Sequence, residues 1–410
     1  MRGGPAGTRG YWLVFAANTV SSLGDGVSKV ALPWLATLLT RDALLISVVT
    51  LAGRLPWFLF ALPAGVWTDR LDRRRLMVSA DLVRLVLTAG IVGLILFQTG
   101  GSGGVAPILA LSALTFLLGS AEVLHSNAAQ TILPAIVAAA DLERANGRLW
   151  SAEQVMNQFI GPPVAGALIG IGIAVPFGFD AATFGIAAAL VAGLTVPAGA
   201  RPPRRAFSAE MREGFAWLAG HRLIFQLAIL LGLTNAAFTA AMVVLALYAQ
   251  ELLHLGAFAY GLLLTVAAAG GVAAGLAGPA IAARFGARPT VLISLAAFAA
   301  AYLALGLWPR VQVAAPALFI EAFAGTLWNV VTVSYRQRII PGEILGRVNS
   351  IYRFFGWGTM PAGALAGGLL VKYSEPLIGR GAALALPFLV AGLITLALTV
   401  WAAARLRFPE

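Results

Sequence analysis

A chain of 410 residues with 60% hydrophobic and only 11% charged residues lies far from the roughly one quarter charged that soluble domains carry, which excludes a soluble globular protein. The formal charge of +11 would suit a nucleic-acid binder only if it gathered on one soluble face, and here it is spread over short loops, so no nucleic-acid partner is expected. Cysteine is absent and the three histidines form no H-E-x-x-H pattern, so neither a thiolate nor a zinc site is expected, and no cofactor is called for.

Apolar stretches of about twenty residues, enough to cross a hydrocarbon core of ~30 Å, fall at 11–38, 44–66, 76–98, 106–126, 151–171 and 175–196. They resume at 223–249, 258–281, 289–307, 313–334, 350–371 and 381–404. This pattern predicts an all-α membrane protein of twelve transmembrane helices in two six-helix halves. The halves cover 1–197 and 223–410, joined by a linker at 198–222, with both termini on one side. The first run is too long for a signal-peptide core and no Ala-x-Ala cleavage pattern follows it, so it is expected to remain as a helix.

In span 1, Asp25 lies by helical rise about 20 Å above the inner edge. Arg54 of span 2 lies about 15 Å below the outer edge, so the two differ by about one turn and can pair. Lys29, one turn from Asp25 on the same face, is a rival partner. Between spans 2 and 3 stand residues 65–75, GVWTDRLDRRR, whose four arginines and two aspartates cannot sit in hydrocarbon. Counting basic residues from this loop puts 21 on its side of the membrane and four on the other. Lys29, Arg54 and Arg84 remain inside spans. The asymmetry predicts that the loop and both termini are cytoplasmic.

Asp81 and Arg84 of span 3 and Glu153 fall near inner helix ends, and Asp180 begins span 6 as an N-cap; all four read as structural. Residues 100–104, GGSGG, match the G-x-S-x-G nucleophile elbow, but no strand precedes them and no histidine is near, so they read as a flexible outer turn and not an enzyme site. Glu122 of span 4 with His125 one turn on could relay a proton, and Glu321 of span 10 is deep enough to face a cavity. Ionisable groups at such depth cost about 2.5–3.5 kcal/mol unless paired or wetted, which makes Asp25, Arg54, Glu122 and Glu321 the proton-coupling candidates. In the linker, Phe207, Met211, Phe215 and Leu218 recur at helical spacing, predicting an amphipathic helix on the inner membrane surface or a linker helix in solvent.

The halves repeat. Gln130-Thr131-Ile132-Leu133-Pro134 with Arg144-Ala145-Asn146-Gly147 is echoed by Gln337-Arg338-Ile339-Ile340-Pro341 with Arg347-Val348-Asn349-Ser350. Arg70 and Arg74 are echoed by Arg284 and Arg288.

The order Gly65, three residues, Asp69-Arg70, then Arg73-Arg74 resembles the loop between helices 2 and 3 of the major facilitator superfamily, twelve-helix secondary transporters with parallel halves around a substrate path. One position departs: the family pattern has Gly two residues after the Asp-Arg pair, where this chain has Asp72. Gly24-Asp25-Gly26 with Ala31-Leu32-Pro33, Leu62-Pro63-Ala64-Gly65 and Gly346-Arg347-Val348-Asn349-Ser350 are similar to the third drug:proton antiporter group, which includes macrolide and siderophore exporters. In span 5, Gly161-Pro162-Pro163-Val164-Ala165-Gly166 resembles the helix 5 motif of the superfamily's proton-driven exporters, with Ala165 and Asn157 where the pattern has Gly.

The resemblance implies proton-coupled efflux of an amphiphilic small molecule by alternating access in the bacterial inner membrane, with protons and the bilayer as partners and a monomer as the unit. Spans 1, 4, 7 and 10 would line the path, offering Trp34, Asn235, Phe238, Trp328 and Asn329. Gly65, Asp69, Arg70, Arg73 and Arg74 would form a gating loop, Asp69 facing the positive end of span 11 near Asn349 and Ser350. Glycines 363, 367 and 368 of span 11 suit close packing with span 2. A facilitator or symporter of a small metabolite, or a lysolipid translocase, would share the fold.

Overall fold

The computed structural model describes residues 9–97, 104–138, 141–194, 207–341 and 344–408; within its helices the side chains at 61, 62, 65, 66, 69, 70, 134, 135, 143, 207–211, 345–347 and 350 lie outside that description. Among the described residues every regular element is helical. The first group is α1 (Arg9–Leu39), α2 (Ala43–Arg70), α3 (Arg73–Phe97), α4 (Val105–Ile136), α5 (Leu142–Gln154), a π-helical turn (Val155–Ile160), α6 (Gly161–Ile171) and α7 (Val175–Ala192). Then come α8 (Phe207–Gly220), α9 (Arg222–Met242), α10 (Leu245–Glu251), α11 (Ala257–Phe285), α12 (Ala287–Leu307), α13 (Val311–Ile339), α14 (Leu345–Gly358), α15 (Met360–Ile378) and α16 (Arg380–Arg405). Ten stretches among the described residues are long and apolar enough to cross a membrane.

Short-range chemistry sets several of these boundaries. Asp42 accepts from the backbone N–H groups of Leu44 at 2.8 Å and Leu45 at 3.4 Å, capping α2. Asp72 accepts from Arg75 N–H at 2.8 Å and caps α3. The polar loop is therefore much shorter than residues 65–75: α2 runs on to Arg70, and only Leu71 and Asp72 separate it from α3. Where the family pattern uses a glycine turn, this chain uses an aspartate cap.

Three predicted spans are broken. Span 5 is split by the π turn that ends at Ile160, just before Gly161-Pro162; Pro162 has no N–H to offer an α-helical ladder, and widening by one residue accommodates that loss. Span 11 breaks at Thr359, just before Pro361, and Thr359 donates to the carbonyl of Gly232 at 2.7 Å. Span 7 breaks at 243–244 between α9 and α10. The residues of 98–103, including the Gly100–Gly103 part of the serine pattern, and 195–206, including much of the linker, lie outside the described residues.

The chain divides into two compact units. One comprises 1–41, 52–202 and 256–265; the other comprises 42–51, 203–255 and 266–410, so α2 and α11 are each shared between them. In the first unit α1 and α3 pack on α7, and α3 on α4. Val14, Ala17, Met77, Ala128, Ile132, Ala187 and Val191 form one of its buried cores. In the second, α9 and α12 pack on α16, and α12 on α13, repeating the same arrangement. Leu227, Val291, Leu295, Val331, Ile351 and Ala402 lie in its core. Leu218 of the linker helix α8 is buried in that core, so part of the apolar stripe predicted for the membrane surface faces protein, while Phe215 stays exposed.

The arginine repeat has a structural meaning. The Arg74 guanidinium donates to the carbonyl of Ala192, the last residue of α7. Its counterpart Arg288 donates to Ala403 O at 2.7 Å and Leu406 O at 2.9 Å at the end of α16. Each meets the unpaired carbonyls at the negative end of a helix. Span 11 also departs from its predicted role. Cβ atoms on Gly363 and Gly367 would meet Ala236 and Ala240 of α9, and only Gly368 faces α2, at Ser47 and Ala43.

Candidate functional site

At the middle of α1, Gly24-Asp25-Gly26 is set among three helices by what the glycines lack. A Cβ on Gly24 would collide with Thr183 and Asp180 of α7, and one on Gly26 would lie 2.7 Å from the carbonyl oxygen of Asn157 in the π turn. Both positions admit only hydrogen, so α1 lies directly against α7 and the π turn. Asp25, between them, reaches α3, where its carboxylate forms an ion pair with Arg84.

Arg84 is the centre of the site. It is 3% exposed, with its Cζ 3.9 Å from the centroid of the Phe184 ring. Its Nη1 lies 3.4 Å from Ser21 Oγ and 3.6 Å from Asp81 Oδ1. Asp81 is fully buried, and His125 Nδ1 of α4 stands 2.9 Å from its Oδ1. A second carboxylate, Asp180, is buried on α7, where it accepts from the hydroxyls of Ser28 and Thr183. Glu122 is half-buried and close enough to interact with Asp25, Arg84 and Arg54. A guanidinium in a low-dielectric interior is stabilised by charged carboxylate partners, and leaving it without them is costly.

The structure rearranges the predicted candidates. Asp25 pairs with Arg84 and not with Arg54, which is exposed, nor with Lys29, whose Nζ bonds Gln158 Oε1 at 2.8 Å. Counting along straight helices gives depth but not the direction a side chain faces, and α3 rather than α2 presents its cation to Asp25. Arg84 and Asp81, read as inner-end structural residues, share one polar cluster with Asp25, and Asp180, buried nearby, lies within α7 and not at its N-cap. The signal available in the sequence was the i, i+3 spacing of Asp81 and Arg84 on one helical face.

Glu321 belongs to the second unit, 9% exposed, accepting from Tyr302 Oη at 3.3 Å. Gly65, Asp69 and Arg70 of the gating loop, with Ser350 of its expected contact, have side chains outside the described residues. Arg73 donates to Thr131 O at 2.9 Å and Arg74 to Ala192 O, so these two anchor neighbouring helix ends in the first unit. In helix 5, a Cβ on Gly161 would lie 2.6 Å from Gly26 Cα, and one on Gly166 would lie 2.8 Å from Ala257 O. Pro162 O faces Gly261 of α11. The motif's small residues thus seat α1 and the start of α11.

Of the predicted path residues, Trp34 is buried with its ring 5.6 Å from that of Tyr260. Asn235 donates to Gly356 O at 2.9 Å, Phe238 is half-buried and Asn329 is exposed. Trp328 is 3% exposed inside the second unit's core cluster, which makes it a packing residue.

The chain matches the family model described as transmembrane secretion effector over residues 5–409. It is 26% identical over 402 residues to the multidrug efflux pump Tap of Mycobacterium tuberculosis, covering 94% of this chain and 93% of that protein. It is also 26% identical over 370 residues to the enterobactin exporter EntS of Shigella boydii serotype 4, covering 87% and 84%. In fold it is similar to a bacterial homologue of the iron transporter ferroportin, with a TM-score of 0.78, 16% identity and coverage of 97% of this chain and 99% of that one. A match running from one end of the chain to the other, on an all-helical fold with an internal repeat, places this protein in the transmembrane secretion effector family of the major facilitator superfamily.

Proposed function

We propose that this protein is a secondary active exporter that moves an amphiphilic small molecule, drug-like or siderophore-like, outward in exchange for protons, with Asp25 as a coupling carboxylate. Near-full-length similarity to a multidrug pump and a siderophore exporter supports efflux. The observation that carries the coupling is the ion pair of half-buried Asp25, at the middle of α1, with the buried Arg84. A carboxylate that loses its cation in a low-dielectric site takes up a proton, and one that regains it gives the proton back. If opening of the cavity alternates those two states, proton entry is tied to substrate release.

The reading includes twelve spans. The ten long apolar helices are joined by α1, whose charged Asp25 and Lys29 lower its hydropathy, and by the α5–α6 pair interrupted by the π turn. It also places both termini and the α2–α3 junction in the cytoplasm of a bacterial cell, on the charge asymmetry of the loops, and takes the monomer as the transporting unit.

The test is transport in proteoliposomes with an imposed pH gradient, using a panel of macrolides, lipophilic cations and a catecholate siderophore. Asp25→Asn should abolish gradient-driven efflux, by at least tenfold in initial rate, while leaving equilibrium exchange of the same compound. Unimpaired proton-driven efflux in this variant would remove Asp25 from the coupling role and pass it to Glu122 or Glu321. Gradient-driven accumulation in the opposite direction would make the protein a symporter, and transport of lysolipid alone a lipid translocase.

A further inference from the structure

Beyond the Asp25–Arg84 pair, the first unit holds a polar group that this pairing leaves unused. Asp81 is 0% exposed, and neither of its carboxylate oxygens has a hydrogen-bond partner among the described residues. His125 Nδ1, 2.9 Å away, is likewise buried without a hydrogen bond, because the two atoms meet off the line a bond needs. Arg84 Nη1 stands 3.6 Å from the same Oδ1, one short movement from bonding distance. A fully buried carboxylate between an imidazole and a guanidinium already committed elsewhere is costly to keep unpaired.

We propose that Asp81 and His125 form a second proton-binding site, coupled to Asp25 through Arg84. In the state seen here Arg84 is held by Asp25; on this proposal the pair Asp81–His125 carries one proton in this state, which gives the pair a net charge of zero. When a proton arrives at the Asp25 carboxylate, that group becomes neutral and Arg84 moves its Nη1 onto Asp81. Asp81 is then paired as an anion, and the proton carried by the Asp81–His125 pair leaves to water. One proton enters and one departs, and the charge within the cluster is conserved. Phe184, beneath the guanidinium, offers the same ring face throughout the movement. Other groups facing the cluster are Glu122 on α4, Asp180 on α7 and Glu153 on α5, with Lys29 and Arg54 acting on Glu122. None of them stands between Arg84 and Asp81.

The inference rests on the reading of Asp25 as the coupling carboxylate, and the experiment separates the two. The chain has three histidines, so His221→Asn with His254→Asn leaves His125 as the single imidazole. Its resonance is followed by nitrogen-15 NMR against pH in lipid nanodiscs, with no substrate present. Adding Asp25→Asn releases Arg84 to Asp81, and His125 should then lose its proton at a pH lower by at least one unit. In an Arg84→Gln background the same Asp25→Asn change should move it less than a third as far. Direct attraction between Asp25 and His125 would leave the shift as large or larger without Arg84, and that result overturns the proposal. Where Arg84→Gln fails to fold, the isosteric Asp81→Asn background carries the same test, since no carboxylate is left to receive the guanidinium. Efflux that survives Asp25→Asn alongside an Arg84-dependent shift would remove Asp25 from coupling and leave the second site standing; lost efflux with no such shift would sink the second site alone.

Discussion

Gly26→Ala probes the geometry on which the site depends. The added methyl would lie 2.7 Å from Asn157 O, 2.8 Å from Asn157 Cα and 3.0 Å from Met156 O. Non-bonded carbons rest at about 3.5–4.0 Å, so α1 and the π turn must part by roughly 0.7 Å or more. All three atoms are backbone, and no side chain can rotate away to absorb the overlap. Overpacking of this kind costs about 1–3 kcal/mol. At about 2–4 °C per kcal/mol for a unit of this size, the melting temperature should fall by roughly 2–12 °C. The same displacement draws Asp25 off Arg84, so gradient-driven transport should fall further than stability alone accounts for. Unfolding can be followed in detergent by the fluorescence of the ten tryptophans. Gly93→Ala is the control, because a Cβ there meets nothing within 4 Å, and it should be neutral or slightly stabilising. A Gly26→Ala protein as stable and as active as Gly93→Ala would refute the close crossing of α1 and the π turn.

Arg74→Gln and Arg288→Gln should each lower stability by about 1 kcal/mol, because each removes a charge-assisted contact with the carbonyls at a helix end. The two losses should be alike in thermal melts, reflecting the repeat, and a loss of transport without a loss of stability at Arg74 would return that residue to a gating role. Single cysteines test the topology, since the chain has none of its own: an impermeant maleimide added outside should label Ser102→Cys and not Arg75→Cys, and the reverse pattern would invert the orientation.

Much of this architecture can be read from the residues alone. Apolar length marks the helices, because a hydrocarbon core demands about twenty residues of any segment that crosses it. The repeat of Arg74 and Arg288 is visible as spacing along the chain, whereas the helix ends they meet, and the aspartate caps at Asp42 and Asp72, come from the structure. What hydropathy and rise per residue cannot supply is rotation of each helix about its own axis. Asp25 and Arg54 are close in depth, yet Asp25 meets Arg84 because Gly24 and Gly26 seat α1 against α7 and the π turn, which turns Asp25 toward α3. Trp328 looks like a path residue by its span and lies in the core by its azimuth. Likewise Asp180 looks like a cap until α7 is seen to begin at Val175 and to bury that carboxylate beneath Ser28. Axial position is a property of the chain and the bilayer, whereas facing is decided by which small residues let two backbones touch, and only the packed structure settles that.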